Sequence, residues 1–293
     1  MTPQSPLTQR PLIGVAFMLL AMMILPVIDV IAKILGTQLP ILMLVWARMT
    51  FGAVLVLPFA MRRARGVQLL PDRPALHLVR AALLMASTFA FFMSLKTLAI
   101  ADALAIFFVQ PLVVTALSPL ILGEKVGPRR WVAVAIGFVG TLIIIRPGVA
   151  PLNPGSLFAL SAGTTLALYF LMTRRIAGSA PAVLTTFRTN VMGALMSSAL
   201  VPLIWQTPEP RQWLLLIALA GIANIGHYFV VRAYDYAEAS LLAPLAYAEM
   251  VASTLLGWVF FRSLPDRYTL LGVGILIACA IYISTSKAAQ GTG

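Results

Sequence analysis

The sequence predicts an all-α membrane protein of ten transmembrane helices, arranged as two inverted repeats of five helices each. Three observations predict this fold class. The apolar residues of the 293-residue chain fall into ten blocks of membrane-spanning length. The spacing of the first five blocks is echoed in the second five. Only 10% of the residues are charged and 60% are hydrophobic, which lies outside the range of soluble domains.

The apolar blocks are long enough to cross a bilayer as helices. Runs such as 12–28, 101–122 and 241–261 approach or exceed the roughly 20 apolar residues needed to cross about 30 Å of hydrocarbon. Lipid offers no hydrogen-bond partner to backbone amides, so each block must be helical. We expect the first repeat over 12–146 and the second over 155–285, with loops too short for a soluble catalytic domain. The predicted helices are 12–35, 40–60, 75–95, 101–122, 131–146, 155–173, 182–205, 213–233, 239–261 and 268–285.

The basic residues predict the orientation of the chain. A net charge of +12 would suggest nucleic acid in a soluble protein, but here the charges collect on one side of the membrane, so no nucleic-acid partner is expected. Both termini are therefore predicted to be cytoplasmic. With that orientation the cytoplasmic segments hold Arg10, Arg62, Arg63, Arg65, Arg73, Lys125, Arg129, Arg130, Arg174, Arg175 and Lys287, and the outer segments hold Lys96, Arg146, Arg211, Arg262 and Arg267.

The two halves of the chain match in local sequence. Residues 46–53 (WARMTFGA) parallel residues 187–194 (FRTNVMGA), with one residue of slippage before the glycine, and ADA at 101–103 parallels AEA at 237–239. Five helices per repeat is an odd number, so the second repeat enters the membrane from the opposite side. Inverted repeats underlie many alternating-access transporters. The pattern therefore favours a carrier over a receptor or an enzyme.

Short motifs near the end of each half resemble a known family. They are PLV at 111–113, LGEKVGP at 122–128 and GFVG at 137–140, and then APLAY at 243–247, LGW at 256–258, LPD at 264–266 and LG at 271–272. The first set resembles the EamA domain of the drug/metabolite transporter superfamily, and the second is similar to the YddG-type exporters of aromatic amino acids. One departure is that Arg262 stands where the second repeat would carry the equivalent of Glu124.

The resemblance covers nearly the whole chain and implies a function. It implies a multi-pass carrier in the inner membrane of a bacterium, working as a monomer in the lipid bilayer by alternating access. The expected small-molecule substrates are hydrophobic or aromatic amino acids, or similar metabolites. Efflux of drugs, quaternary amines or other metabolites is the alternative, and an intramembrane hydrolase or a receptor is the alternative from a different class.

Ionisable side chains inside the predicted helices are candidates for the substrate cavity, because buried charges in lipid usually face a cavity or each other. Asp29 and Lys33 stand four residues apart on the first helix, as an ion pair or a gate charge. Arg48 and Arg188 lie at similar depths in the two repeats, as clamps to backbone carbonyls or as ligands of a carboxylate. Glu249 lies near the centre of a block, where it would carry a proton, receive a substrate ammonium, or pair with one of the arginines.

Polar and aromatic residues at similar depths complete the candidate cavity. Asn224 and His227 share a helix face, and aromatic side chains would line a pocket for a flat or apolar solute. Prolines mark the sites where helices would bend. The cavity candidates are Trp46, Phe91, Phe107, Gln110, Tyr169, Asn224, His227, Tyr228 and Tyr247, and the hinge candidates are Pro26, Pro111, Pro119 and Pro244.

Motifs for chemistry are absent from the sequence. There is no P-loop to bind ATP, no HExxH or GxSxG motif, and no set of His and Cys residues suited to zinc. The single cysteine, Cys279, excludes an intrachain disulfide. We therefore expect no enzyme activity, no cofactor and no bound metal.

Overall fold

The computed structural model describes residues 11–63, 74–123, 127–145, 153–176, 180–237, 242, 245 and 248–288. Throughout these residues the regular structure is helical, which confirms the all-α prediction. The helices are α1 (Pro11–Ile24), α2 (Pro26–Leu35), α3 (Ile41–Arg63), α4 (Pro74–Ser94), α5 (Ile100–Phe107), α6 (Gln110–Leu122), α7 (Pro128–Ile145), α8 (Pro154–Arg175), α9 (Ala182–Ser198), α10 (Pro210–Tyr236), α11 (Ala248–Phe261) and α12 (Arg267–Ala288), with a 3₁₀ turn at Val201–Ile204.

Among the described residues, six segments are long and apolar enough to cross a membrane. They are Leu12–Leu35, Ile41–Arg62, Pro74–Ser94, Ile100–Leu122, Pro154–Arg175 and Pro210–Tyr236, and shorter apolar helices lie at Val134–Ile144, Ala248–Phe261 and Arg267–Ala278. Large apolar side chains such as Leu120, Leu157 and Phe260 stay more than half exposed in the folded chain. Such a surface suits lipid and not water.

Two of the predicted spans are each divided into two helices beside a proline. The first divides at Leu25, before Pro26, and the fourth divides at residues 108–109, before Pro111. Proline has no amide hydrogen, so the carbonyl four residues earlier loses its helical partner. For Pro111 that carbonyl belongs to Phe107, and α8 passes it at Gly163, where even a Cβ atom would collide with the carbonyl oxygen. Pro119 lies inside α6, which continues through it, and Pro244 lies outside the described residues.

One predicted helix is wrong at its C-terminal end. The span 182–205 ends as α9 at Ser198 and continues as the 3₁₀ turn Val201–Ile204. Pro202 explains the difference, since a proline disfavours α-helical backbone at the residue before it and cannot donate the next helical hydrogen bond.

The helix contacts repeat between the two halves of the chain. Helix α4 packs on α8, and its counterpart α10 packs on α1; α4 also packs on α9, and α10 on α3. Counterparts contact each other directly in the pairs α3 with α9 and α7 with α12. Exchanging each helix for its counterpart in the other repeat returns these same contacts, as expected for two repeats related by a twofold axis.

The end of α11 corrects one detail of the sequence alignment. Gly123 directly follows α6 with φ 71°, and Arg262 directly follows α11 with φ 54°. By position and by backbone conformation, Arg262 is therefore the counterpart of Gly123 and not of Glu124. Glycine adopts this left-handed conformation without strain, whereas arginine does so at a cost of roughly 1–2 kcal/mol. The guanidinium stacks 5.6 Å from the ring of Trp258, and the Ser263 hydroxyl bonds to the Gly257 carbonyl.

Candidate functional site

A cavity of about 80 Å³ lies among helices of both repeats. The breaks at Leu25 and at Phe107–Gln110 both border it, so the cavity lies where the backbone departs from regular helix. Seven of the residues singled out from the sequence line it, namely Asp29, Arg48, Phe91, Phe107, Gln110, His227 and Glu249. The other lining residues are Met18, Met22, Leu25, Ile28, Leu84, Ser87, Thr88, Phe92, Leu104, Leu166, Phe170 and Tyr234.

The remaining candidates lie elsewhere in the fold. Tyr169 and Asn224 line a smaller space beside the cavity, and Tyr228 lines a groove on the outside of the bundle. The ring centroid of Trp46 lies 5.5 Å from that of Trp205, in an aromatic cluster near the N-terminal end of α3. Arg188 is buried and does not line the cavity formed by the described residues. Tyr247 lies outside the described residues.

Arg48 is held by two neutral side chains, one from each repeat. Its guanidinium donates to the hydroxyl of Thr88 on α4 and, over 2.5 Å, to Nε2 of His227 on α10. An arginine only donates hydrogen bonds, so Nε2 of His227 must accept, and the ring is neutral with its proton on Nδ1. Nδ1 is buried and has no hydrogen-bond partner among the described residues. Arg48 therefore keeps its full positive charge, and it offers donors to a ligand together with His227.

Two carboxylates line the same cavity as Arg48. Asp29 on α2 is only 4% exposed, and Glu249 in the first turn of α11 is half-buried. Asp29 interacts electrostatically with both Arg48 and Glu249, but neither acid is in direct ion-pair contact with Arg48 in the described part of the chain. With all three groups ionised, the cavity carries two negative charges and one positive charge.

Lys33 lies apart from the acid one turn before it. Its ammonium donates to the backbone carbonyls of Leu95 at 2.9 Å and Leu98 at 2.6 Å, in the loop between α4 and α5. It also lies 5.8 Å from the ring centroid of Phe261. Lys33 therefore ties the end of α2 to its neighbours, while Asp29 faces the cavity.

Aromatic and thioether side chains form the apolar wall of the cavity. The rings of Phe91 and Phe107 lie 4.8 Å apart between centroids, at an interplanar angle of 55°. Phe170 lines the cavity together with Met18 and Met22. Such a surface suits a flat ring system, because aromatic faces and polarisable sulfur both pack well against one.

Several polar residues that shape this region are not among those predicted from the sequence. Arg80 on α4 is completely buried, donates to Thr173 at 2.8 Å, and lies 5.0 Å from the ring centroid of Tyr169. An arginine inside a predicted helix was the available signal, and the same signal identified Arg48. Thr88 gave no such signal, because threonine is common in transmembrane helices, whereas Asn190 is a polar residue in a predicted helix just as Asn224 is.

A helical bundle of two matching halves, with a charged cavity buried among lipid-facing helices, defines a membrane transporter. The chain belongs to the EamA-like transporter family, which matches residues 12–146 and 153–285. The family and the presence of two repeats are thereby confirmed, as is the prediction that the protein is a transporter and not an enzyme.

Similar proteins differ in the solute that they carry. An S-adenosylmethionine uptake transporter of Rickettsia prowazekii is 26% identical over 274 residues, covering 94% of this chain and 93% of the relative. A riboflavin transporter of Vibrio cholerae is 27% identical over 94% of each chain. The pseudopaline exporter CntI of Pseudomonas aeruginosa is 24% identical over 94% of this chain and 96% of its own. Amino-acid export by this chain therefore stays a prediction.

The fold itself recurs in a solved crystal structure. That structure aligns with a TM-score of 0.72 over 96% of this chain and 98% of its own, at 22% sequence identity. This likeness supports the helical architecture alone.

Proposed function

We propose that this transporter carries a cationic amino-acid derivative of the S-adenosylmethionine class. The observation that carries the proposal is the charge set of the cavity, which combines Asp29 and Glu249 with Arg48 in one buried, aromatic-walled space. S-adenosylmethionine has a carboxylate, an ammonium, a sulfonium and a flat adenine ring. Each of these groups has a chemical counterpart among the lining residues.

The carboxylate of the solute fits Arg48. Guanidinium binds carboxylate through two parallel hydrogen bonds, and the partners that hold Arg48 here are neutral. His227 also carries an Nδ1 proton that has no hydrogen-bond partner among the described residues. An ordinary amino acid has the same carboxylate and would bind Arg48 equally well. This part of the site therefore fits the amino-acid substrates expected from the sequence as well as it fits S-adenosylmethionine.

The two acids distinguish a cationic solute from an ordinary amino acid. A zwitterion has one ammonium, so one of the two acids would stay buried without a counter-charge, which is costly in a bilayer. A solute with a second positive charge would balance Asp29 and Glu249 together. Riboflavin is neutral and, like a zwitterion, would leave the cavity with one uncompensated negative charge, although its ring system suits the aromatic wall.

The size of the cavity implies that it must widen before it binds this solute. About 80 Å³ has room for a few water molecules at roughly 30 Å³ each, whereas sites for small organic ligands measure about 300–1,000 Å³. We therefore interpret the described conformation as a closed state of an alternating-access cycle. The helix breaks beside Pro26 and Pro111 are the places where the lining can move without unfolding a helix.

The orientation of the protein follows from its charges. The basic segments predict that both termini lie in the cytoplasm of a bacterial cell, with the protein in the inner membrane. This orientation remains a prediction, as does the direction of net transport.

The test is solute counterflow into proteoliposomes. Vesicles that contain the purified protein and unlabelled S-adenosylmethionine should accumulate external radiolabelled S-adenosylmethionine, and empty vesicles should not. S-adenosylhomocysteine, which lacks the methyl group and the sulfonium charge, should compete at least about tenfold more weakly, as expected when one charge contact in a buried site is lost. Riboflavin, phenylalanine and tryptophan should compete more weakly still. If any of these three solutes competed more strongly than S-adenosylmethionine, the proposal would be overturned and that competitor would indicate the solute class instead.

A further inference from the structure

Three spaces follow one another from the membrane-facing surface to the central cavity. A groove of about 940 Å³ lies between the C-terminal halves of α3 and α10 and the beginning of α9. A narrow space of about 10 Å³, here called the passage, adjoins it. Thr186 and Asn224 line both the groove and the passage, while Arg48, Leu84 and His227 line both the passage and the cavity. The passage is therefore the link between the groove and the cavity.

The passage is polar, although it lies inside the membrane. Its lining residues are Arg48, Leu84, Tyr169, Thr186, Thr189, Asn190, Ala223, Asn224 and His227. Two buried polar atoms on it, the Thr186 hydroxyl oxygen and Nδ1 of His227, have no hydrogen-bond partner among the described residues. Buried polar atoms are normally satisfied. Unsatisfied polar atoms along the passage are expected if water or a polar solute occupies it during part of the transport cycle.

Two amides close this passage. Asn190 of α9 donates to the side-chain oxygen of Asn224 on α10 at 2.6 Å, and Asn224 donates in turn to the backbone carbonyl of Gly52 on α3 at 3.2 Å. We call these three residues the amide latch. It joins the three helices that border the groove, and the volume left beside it is about 10 Å³, near the lower limit for a single water molecule.

The same contact in the other repeat is apolar. Asn190 stands three residues before Gly193, and Met49 stands three residues before Gly52. Gly52 faces the Asn190 amide, with 2.9 Å between a Cβ built on the glycine and Nδ2, and Gly193 faces the Met49 sulfur at the same 2.9 Å. The packing of the two repeats therefore requires only a glycine against a side chain the size of Asn or Met. The hydrogen-bonding amide is present at one of these two equivalent contacts and not at the other.

We propose that the passage is the cytoplasmic half of the solute path and that the amide latch is its gate. Neutral amide hydrogen bonds inside membranes are weak enough to break in each cycle, and their polar atoms can then be satisfied by water. The cytoplasmic position follows from the predicted orientation, in which α3 and α10 end in the cytoplasm and α9 begins there. The proposal rests on membership of the transporter family and holds whichever solute is carried.

The experiment measures the access of water to the passage with a cysteine reporter. Cys279, the single cysteine, is changed to serine, and Thr189→Cys places a thiol in the passage. The reagent is a membrane-impermeant trimethylammonium methanethiosulfonate, applied to the cytoplasmic or the outer face of oriented vesicles. In this parent protein the latch is closed, so the thiol should react slowly.

Two variants should open the latch, and a third is the matched control. Gly52→Ala introduces a Cβ within 3.0 Å of both amide nitrogens, and Asn224→Ala removes both hydrogen bonds. Each should raise the labelling rate from the cytoplasmic face on the order of tenfold, because the free energy of the lost hydrogen bonds corresponds to about a tenfold larger population of the open passage. Gly193→Ala introduces an equally close Cβ against Met49 and should leave the rate unchanged.

Three results would overturn the proposal. They are a labelling rate that stays at the parental value in both latch variants, a rate that rises equally in Gly193→Ala, and a rate that rises only from the outer face. Melting temperatures of the variants show which of them are folded, and the two independent latch variants keep the test decisive if one is not. The measurement needs no solute, so its outcome is separate from that of the counterflow assay.

Discussion

Removing the charge of Asp29 should weaken the binding of a solute with a sulfonium and leave an analogue that lacks only the sulfonium charge nearly unaffected. Asp29→Asn keeps the shape of the side chain and its capacity for hydrogen bonds. The carboxylate is 4% exposed and lines the cavity, so it acts in an environment of much lower dielectric constant than water. A unit charge about 5 Å away at an effective dielectric constant of about 20 contributes roughly 3 kcal/mol.

This energy is an upper limit for the effect, because Glu249 remains to attract the cation. We expect the apparent KM for S-adenosylmethionine to rise between about tenfold and a hundredfold, since each 1.4 kcal/mol corresponds to a factor of ten. The inhibition constant of S-adenosylhomocysteine should change less than about threefold. This analogue has no sulfonium for Asp29 to contact, so the substitution leaves its other contacts in place. Both constants are measured by counterflow in the same proteoliposomes.

The matched control is Asp235→Asn, the same chemical change outside the cavity. Asp235 lies near the end of α10 and pairs with Arg232 at 3.3 Å. Its replacement should leave both constants at their parental values. An equal rise of both constants in Asp29→Asn would refute the reasoning, because it would mean that Asp29 does not recognise the sulfonium, the one charge that S-adenosylhomocysteine lacks. An unchanged KM would refute it as well.

Two further predictions concern cations that bind backbone or neutral side chains. Lys33→Met removes the hydrogen bonds to Leu95 and Leu98, at the end of the bundle that is predicted to face outward. A Phe91→Cys reporter in the cavity should then react on the order of tenfold faster with an impermeant thiol reagent from the outer face. An unchanged rate would show that these bonds do not hold that end closed. Arg80→Met should reduce stability by about 1.5–3 kcal/mol and lower the melting temperature in detergent, with Arg80→Lys in between because an ammonium lacks the planar fork of guanidinium. A parental melting temperature in Arg80→Met would contradict that structural role.

The membrane-spanning architecture could be predicted because it depends on properties of single segments. Length and apolarity decide whether a segment crosses the bilayer, and proline removes a helical hydrogen bond wherever it stands. The breaks beside Pro26 and Pro111 follow from that rule, whereas Pro119 shows its limit, since α6 continues through that residue. The shortened α9 was missed because apolar length was given more weight than Pro202.

The partners of the charged residues could not be predicted, because they depend on how helices pack. Spacing along one helix suggested that Asp29 and Lys33 would pair, but the carbonyls that Lys33 binds are more than sixty residues away in sequence. Spacing likewise did not predict that Thr88 and His227, on two different helices, would be the hydrogen-bond partners of Arg48. Sequence position identified the charged residues themselves, and packing decided which of them share a cavity.

The comparison of Arg48 with Arg188 explains why a repeated fold need not have a repeated site. The two arginines match in sequence, yet Arg48 lines the cavity with two acids and Arg188 does not. Gly52 and Gly193 match in the same way, yet one faces an amide and the other a thioether. Alternating access requires that the two halves exchange conformations, so their backbone contacts must be nearly equivalent. A bound solute has no such symmetry, and its carboxylate and its cationic groups need be recognised only once. Small residues at helix contacts are therefore duplicated with the fold, whereas charged and amide side chains at equivalent positions are free to differ, and those differences are where the chemistry of the solute should be sought.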